Sequence, residues 1–242
     1  MSEFAFDAGG YLIDLDGTLI SGRMVLPDAR WLLKQVDGRY MVVSNNAEHT
    51  PDQLSRMLKS LGLPIASGQI LLAGATAIDC IARDYPGSSV LLLGSAALRN
   101  HARRRGLRLH QERPEIVLVT RDRNFSYAKL ATTAEALCDG AHLFVAAPDL
   151  NHPGPSGKPV PETGALAAAI LACAGPRNYT VIGKPERVLF DMACDRLGVT
   201  SVDAVMIGDN PQTDGLGASR VGMRFWQVDN GLLRQPAHQA AE

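Results

Sequence analysis

Two aspartates, Asp14 and Asp16, stand two residues apart and are followed at once by Gly17. Carboxylates that close, beside a residue that lets the chain turn, suit a two-step displacement at phosphorus. One carboxylate attacks and forms an acyl phosphate that water later hydrolyses. The other protonates the leaving alkoxide and then deprotonates the attacking water. Gly17 lets backbone N–H groups approach the phosphoryl oxygens. Ser44 offers a hydroxyl to one of those oxygens, and Asn45 adds a further donor. Lys184, in Gly183-Lys184-Pro185, supplies a positive charge for both the acyl phosphate and Asp14. Asp209 opens the run Asp209-Asn210-Pro211-Gln212-Thr213-Asp214 and is a hard oxygen ligand. Magnesium takes few protein carboxylates and keeps waters and phosphate oxygens around it. Asp14, the main-chain carbonyl of Asp16, and Asp209 make such a shell, with Asp214 ligating through water or orienting the loop. Each signal has an ordinary alternative, since Asp-Gly is most often a turn. Their joint presence, in this order, points to one site.

The elements that must position these residues follow from the apolar pattern. Tyr11-Leu12-Ile13 reads as a buried strand that stops at Asp14, and Tyr40 to Val43 as a second that stops at Ser44. Helices are predicted over Pro27–Val36, Pro51–Leu61 (with Thr50 as cap), Ala73–Arg83, Ala96–Arg105, Tyr127–Cys138, Gly164–Ala174, Arg187–Leu197 and Asp214–Val221. Further strands are predicted at Ser89–Leu93, Ile116–Val119, His142–Ala146, Thr180–Ile182, Ala204–Ile207 and Phe225–Val228, with a Pro/Gly-rich loop over Pro148–Pro161. This alternation predicts an α/β protein with mainly parallel sheets. Functional residues of such sheets gather beyond the carboxyl ends of the strands. Asp14, Ser44, Lys184 and Asp209 each follow a predicted strand, so in one parallel sheet all four converge at one edge.

The chain has 242 residues, 46 % of them hydrophobic and 20 % charged, and a net charge of -1. Charge alone therefore gives no reason to expect a nucleic acid or an anionic membrane as partner. No apolar stretch approaches the ~20 residues that span a bilayer, and no basic segment followed by an apolar run marks a signal peptide. Cytoplasm is the expected location. The four cysteines are widely spaced and form no CxxC pair, so neither a zinc site nor a disulfide framework is indicated. Their Ala/Leu-rich surroundings predict buried free thiols. Arg103-Arg104-Arg105 reads as a solvated helix face.

With these residues in view, the chain resembles the haloacid dehalogenase (HAD) superfamily of phosphohydrolases. Asp14-Leu15-Asp16-Gly17-Thr18-Leu19 looks like its first motif, Ser44-Asn45-Asn46 the second, Lys184 the third and Gly208-Asp209…Thr213-Asp214 the fourth. The Ser-Asn-Asn form and the long insertion after it resemble the NagD, p-nitrophenyl phosphatase, phosphoglycolate phosphatase and pyridoxal phosphatase subfamily. The resemblance implies a Rossmann-like core over 1–72 and 177–242 and an inserted α/β cap over 73–176. It implies Asp14 as nucleophile, Asp16 as general acid/base, Gly17, Asn45 and Asn46 at the substrate phosphate, and Mg2+ on Asp14, Asp16 (through its carbonyl) and Asp209. It also implies a homodimer formed through the cap. Asp16 argues against the dehalogenase branch, where the acid/base role is unnecessary.

Within the subfamily the cap sets specificity, which turns attention to Pro148–Thr163. His152-Pro153 resembles the His-Pro that lies over the pyridine ring in pyridoxal phosphatases, although a solvent-facing loop histidine is the ordinary alternative. Arg121, Asp122 and Arg123 are candidates for a charged substrate or for a solvated turn, and His49 for the site rim or a helix start. Relatives commonly carry Thr-Asn-Pro-Asp where this chain reads Ala146-Ala147-Pro148-Asp149, and Thr-Asp-Ile where it reads Thr213-Asp214-Gly215. The expected activity is hydrolysis of a small-molecule phosphate ester, with pyridoxal phosphate and phosphoglycolate as candidates. Transfer to an alcohol acceptor and a non-catalytic regulatory role are the alternatives.

Overall fold

The apolar runs that end in polar signals form the middle of a parallel sheet. The computed structural model describes residues 5–109, 112–154 and 157–234. The chain begins with β1 (Gly10–Ile13), a small hairpin β2–β3 (Ile20–Ser21 and Met24–Val25), α1 (Ala29–Val36), β4 (Tyr40–Ser44), α2 (Pro51–Ser60) and β5 (Ile70–Leu72). It continues through α3 (Ala73–Asp84), β6 (Ser89–Leu93), α4 (Ala96–Arg104), β7 (Arg108–Leu109), β8 (Ile116–Val119), α5 (Tyr127–Cys138) and β9 (His142–Val145). A second hairpin, β10–β11 (Asn151–Pro153 and Pro159–Pro161), leads into α6 (Thr163–Ala174) and β12 (Thr180–Val181). The last stretch holds α7 (Val188–Leu197), β13 (Ala204–Gly208), a π-helical turn at Pro211–Gly215, α8 (Leu216–Arg220), β14 (Arg224–Asp229) and β15 (Leu232–Leu233).

Two compact units result. The first comprises Met1–Ser44, Ser55–Leu71 and Lys184–Glu242; the second comprises Asn45–Leu54 and Leu72–Gly183. The first unit's sheet has the order β15-β14-β13-β1-β4-β5. β1 pairs in parallel with β13 and with β4, and β13 pairs in parallel with β14. Every residue of β1, β4 and β13 is buried. This is what continuous apolar strands adopt when helices cover both faces of a sheet. α7 packs against β1 and β4, setting Leu189, Phe190 and Ala193 into the core.

The second unit is built around its own parallel sheet, in the order β12-β9-β8-β6-β7. Leu91, Leu93, Val117, Val119, Leu143 and Val145 form one core cluster with Ala136 and Leu137 of α5 and Ala167 and Ile170 of α6. Val90, Leu92, Ile116 and Leu118 alternate with them and are buried as well. Three helix starts follow their sequence signals. Thr50 and Gln53 exchange a capping box at α2, with the Thr50 N–H 3.0 Å from Gln53 Oε1, and Ser95 and Ser126 cap α4 and α5.

Three expectations need correction. Cys80 and Cys194 are buried, but Cys138 and Cys173 are exposed free thiols, because both lie in the last turn of helices whose core-facing residues are others. The loop at 148–161 contains the β10–β11 hairpin, with His152 opposite Val160. Its prolines hid it, yet a two-stranded hairpin is all edge and tolerates them. Finally, the strand before Lys184 does not join the sheet of Asp14. β12 pairs with β9 in the second sheet.

Ile207 is the penultimate residue of β13 and is wholly buried. Ile207→Ala is expected to lower stability by about 2–4 kcal/mol through lost burial and a residual cavity. Urea unfolding checks this, and a loss under about 1 kcal/mol would show that the strand is less tightly packed than described.

Candidate active site

Because β1, β4 and β13 are parallel, their carboxyl ends share an edge, and Asp14, Ser44 and Asp209 stand at those ends. The Asp14 N–H donates to Ile207 O at 2.8 Å, so strand pairing extends one residue past β1 and fixes the carboxylate's base. The chain then turns tightly. Leu19 and Ile20 donate to Leu15 O at 2.9 and 3.0 Å, and Gly17 donates to Ile20 O at 2.7 Å. Gly17 has φ +88°, and a Cβ there would fall 2.1 Å from Asp209 Oδ2. Glycine is therefore required on two counts, conformation and close approach. A Cβ at Gly208 would meet Asp214 Oδ2 at 2.2 Å, so the β13 end is equally closed to side chains.

Lys184 is the one cation of the group. Its Nζ lies 2.5 Å from Asp14 Oδ1 and 2.6 Å from Asp214 Oδ1, and its side chain is 2 % exposed. Asp14, Asp209 and Asp214 each bring a carboxylate oxygen within 4.8 Å of the others. Asp214 sits in the π-helical turn and is held by the Asn210 N–H at 3.2 Å. Single π turns often occur at functional positions. Burial first of all pushes the Asp14 carboxyl well above the usual range; Lys184 opposes this, while Asp214 and Asp209 add to it. Burial, then Asp214, push Asp209 up to about 6 against the pull of Lys184. Burial disfavours the Lys184 ammonium, but Asp14 and Asp214 outweigh that cost and raise its pKa.

Three carboxylates around one ammonium leave an excess of two negative charges when all are ionised. Hard oxygen donors in that number suit a divalent cation such as magnesium better than a soft metal. Asp14, Asp209 and Asp214 could hold it. Asp16, by contrast, is exposed, as suits a group that exchanges protons with solvent. Ser44 is buried at the end of β4.

Asn45, Asn46, His49 and His152 belong to the second unit. The Asn45 amide donates to Asp149 Oδ2 at 2.7 Å. Asn46 Oδ1 accepts the N–H groups of Glu48 and His49 at 3.1 and 2.9 Å, and His49 Nδ1 lies 3.3 Å from it, the ordinary role of a helix-start cluster. His152 Nδ1 lies 2.8 Å from Glu162 Oε1. Burial first raises the Glu162 carboxyl, opposed by Arg121 and His152. Glu48 and Glu162 escaped the sequence reading, since nothing local marks a glutamate whose partners lie on other elements.

Known proteins resemble this chain in sequence and fold. A family model described as haloacid dehalogenase-like hydrolase covers residues 11–108, and one described as HAD-hydrolase-like covers 181–242. A dihydroxyacetone phosphatase of Corynebacterium glutamicum is 32 % identical over 225 residues, 92 % of this chain and 81 % of that protein. The chain belongs to the haloacid dehalogenase-like hydrolases. Solved structures of this HAD family superpose over nearly the whole chain. The p-nitrophenyl phosphatase from Archaeoglobus fulgidus has TM-score 0.86 and 28 % identity, covering 93 % of this chain and 87 % of that one. A glycerol phosphate phosphatase from Mycobacterium tuberculosis, solved with calcium, has TM-score 0.84 and 31 % identity, covering 93 % and 67 %. The HAD assignment and the α/β fold with a mainly parallel sheet thus agree with the sequence motifs. No helix among the described residues is long and apolar enough to cross a membrane.

Lys184→Met removes the buried ammonium and leaves its carboxylates uncompensated. In metal-free buffer this is expected to cost about 3–5 kcal/mol in unfolding free energy. A loss under about 1 kcal/mol would contradict the charge balance described here.

Proposed function

We propose that this HAD hydrolase is a magnesium-dependent phosphatase that hydrolyses a small phosphate monoester through an aspartyl phosphate on Asp14. The observation that carries this reading is the buried group Asp14–Lys184–Asp214 with Asp209, at the carboxyl edge of the parallel sheet. The relatives lend it support, for they are named for three small phosphate esters: dihydroxyacetone phosphate, p-nitrophenyl phosphate and glycerol phosphate.

The chemistry then divides among this chain's residues as follows. An Asp14 Oδ attacks phosphorus while Asp16 gives its proton to the departing ester oxygen, leaving an alcohol and an acyl phosphate. Asp16, now a carboxylate, takes a proton from water as that water attacks phosphorus, and phosphate leaves with Asp14 restored. Lys184 stabilises the negative charge through both steps and holds Asp14 in place. Ser44 donates to a phosphoryl oxygen. Asp14, Asp209 and Asp214, with the Asp16 carbonyl, would hold a magnesium ion, which would supply neutralisation of phosphoryl charge. The first unit is the catalytic core and the inserted second unit is the cap that selects substrate.

Two experiments test this. Asp16→Asn with p-nitrophenyl phosphate is expected to give a stoichiometric burst of p-nitrophenol followed by turnover slowed about 10²–10⁴-fold, since this leaving group needs no proton but the water does. Slow release without a burst would contradict the two-step assignment. Thorough chelation should abolish phosphate release, and added magnesium should restore it; full activity after chelation would overturn the metal assignment.

A further inference from the structure

One residue of the run from Gly208 to Asp214 has no part in the chemistry above. Asn210 stands between Asp209 and the π-helical turn Pro211–Gly215. Its backbone is not helical (φ −104°, ψ 105°), so it caps the turn without joining it. Pro211 has no N–H to place. The Gln212 N–H donates to the Asn210 side-chain Oδ1 at 2.9 Å. The Thr213, Asp214 and Gly215 N–H groups donate to Asn210 O at 3.3, 2.8 and 3.4 Å. One residue therefore satisfies every N–H of the turn, groups that a helix start ordinarily leaves without partners.

Asn210 also grips the carboxylate that the turn carries. Its own N–H donates to Asp214 Oδ2 at 3.2 Å, while Lys184 Nζ lies 2.6 Å from Asp214 Oδ1. One oxygen of this buried carboxylate thus faces the ammonium and the other faces the Asn210 N–H. Asp209, the residue before Asn210, brings a carboxylate oxygen within 4.8 Å of those of Asp14 and Asp214. Asn210 therefore joins the two carboxylates of the run, Asp209 through the peptide bond and Asp214 through hydrogen bonds. Asn210 and Gln212 are themselves exposed, so only the cap keeps water from the Gln212 N–H.

We infer that the Asn210 side chain is a positioning residue for the divalent cation: by holding the Gln212 N–H it keeps the turn closed on Asp214, and so keeps Asp209 and Asp214 placed to share one ion. This rests on the metal reading above. Without Oδ1 the Gln212 N–H turns to water, and the Asn210 backbone loses the contact that fixes its angle. The N–H on Asp214 Oδ2 moves with that backbone. Asp14, Asp209 and Asp214 repel one another while no cation is bound, so a loosened turn opens the group. Residues that hold metal ligands in place commonly account for about ten- to a hundred-fold in affinity. A plain helix cap would contribute to stability and leave the metal untouched.

The test is calorimetric titration with Mg2+ of the wild type, Asn210→Ala, Asn210→Ser and Ser126→Ala, alongside kcat and KM for p-nitrophenyl phosphate. Asn210→Ala is expected to raise the Mg2+ Kd about ten-fold. At excess Mg2+ its kcat should return to the wild-type value, with KM within about two-fold of wild type. Serine supplies a neutral capping oxygen, so Asn210→Ser should restore the wild-type Kd. Ser126→Ala removes the cap of α5 in the second unit and should leave the Kd unchanged, which separates positioning from a general loss of stability. An unchanged Kd in Asn210→Ala, a loss that serine fails to repair, or an equal loss in Ser126→Ala overturns the inference and leaves the phosphatase reading standing. A kcat deficit that persists at excess Mg2+ does the same. A wild type that binds no Mg2+ overturns the metal assignment and this inference with it. Mg2+ binding without phosphate release overturns the phosphatase reading alone, and the Kd comparison still decides the inference.

Discussion

The structure of the first unit depends on one electrostatic constraint, a buried ammonium among more carboxylates than it can balance. Lys184 is held by Asp14 and Asp214, and Asp209 stands within reach of both. Burying charge is costly unless it is paired. The tight turn at Gly17, the bare backbone at Gly208 and the π turn that carries Asp214 all serve to bring these groups together without side chains between them. The parallel strands β1 and β13 provide the rigid base, since their buried residues leave the loops beyond them no latitude. The same excess of negative charge that strains the metal-free site matches it to a divalent cation. Burial is the main cause that raises the Asp14 carboxyl, and the neighbouring Asp214 and Asp209 add to it against the pull of Lys184.

Much of this was legible in the sequence because the relevant signals are local. An apolar run followed by Asp-x-Asp-Gly reports a strand end and a turn in a few residues, and the same holds for Tyr40–Ser44 and Ala204–Asp209. Several helices and strands lie within a residue or two of where their periodicity places them, among them Ser89–Leu93, Ile116–Val119 and Tyr127–Cys138. The failures have a common physical origin in partners that sequence does not name. Thr180–Val181 reads as a strand, but which sheet it joins depends on whether β9 or β1 offers an open edge, and β9 does. Cys138 and Cys173 lie in apolar company along the chain, while burial depends on helix face and on distance from the helix end. The hairpins at Ile20–Val25 and Asn151–Pro161 are too short to show a period.

The second unit carries polar residues that take no part in the carboxylate–ammonium group of the first. Its sheet has a core of its own. Glu48, Arg121, His152 and Glu162 come from four separate segments, so no motif announces them, yet they form one connected set. His152 in particular has a partner within the protein, which sets its ring orientation before any substrate arrives. The first unit gathers three carboxylates around a buried ammonium, and the second holds a separate set of paired polar groups.

The central claim is that Asp14 carries the phosphoryl group during turnover. The most direct measurement is acid quenching of the protein during steady-state hydrolysis of p-nitrophenyl phosphate with magnesium, followed by borohydride reduction and peptide mapping by mass spectrometry. An aspartyl phosphate reduces to homoserine, so the account predicts homoserine at position 14 and at no other aspartate. Homoserine at position 16 or 209, or none at all in a sample quenched while turning over with the phosphoenzyme demonstrably accumulated, would contradict it.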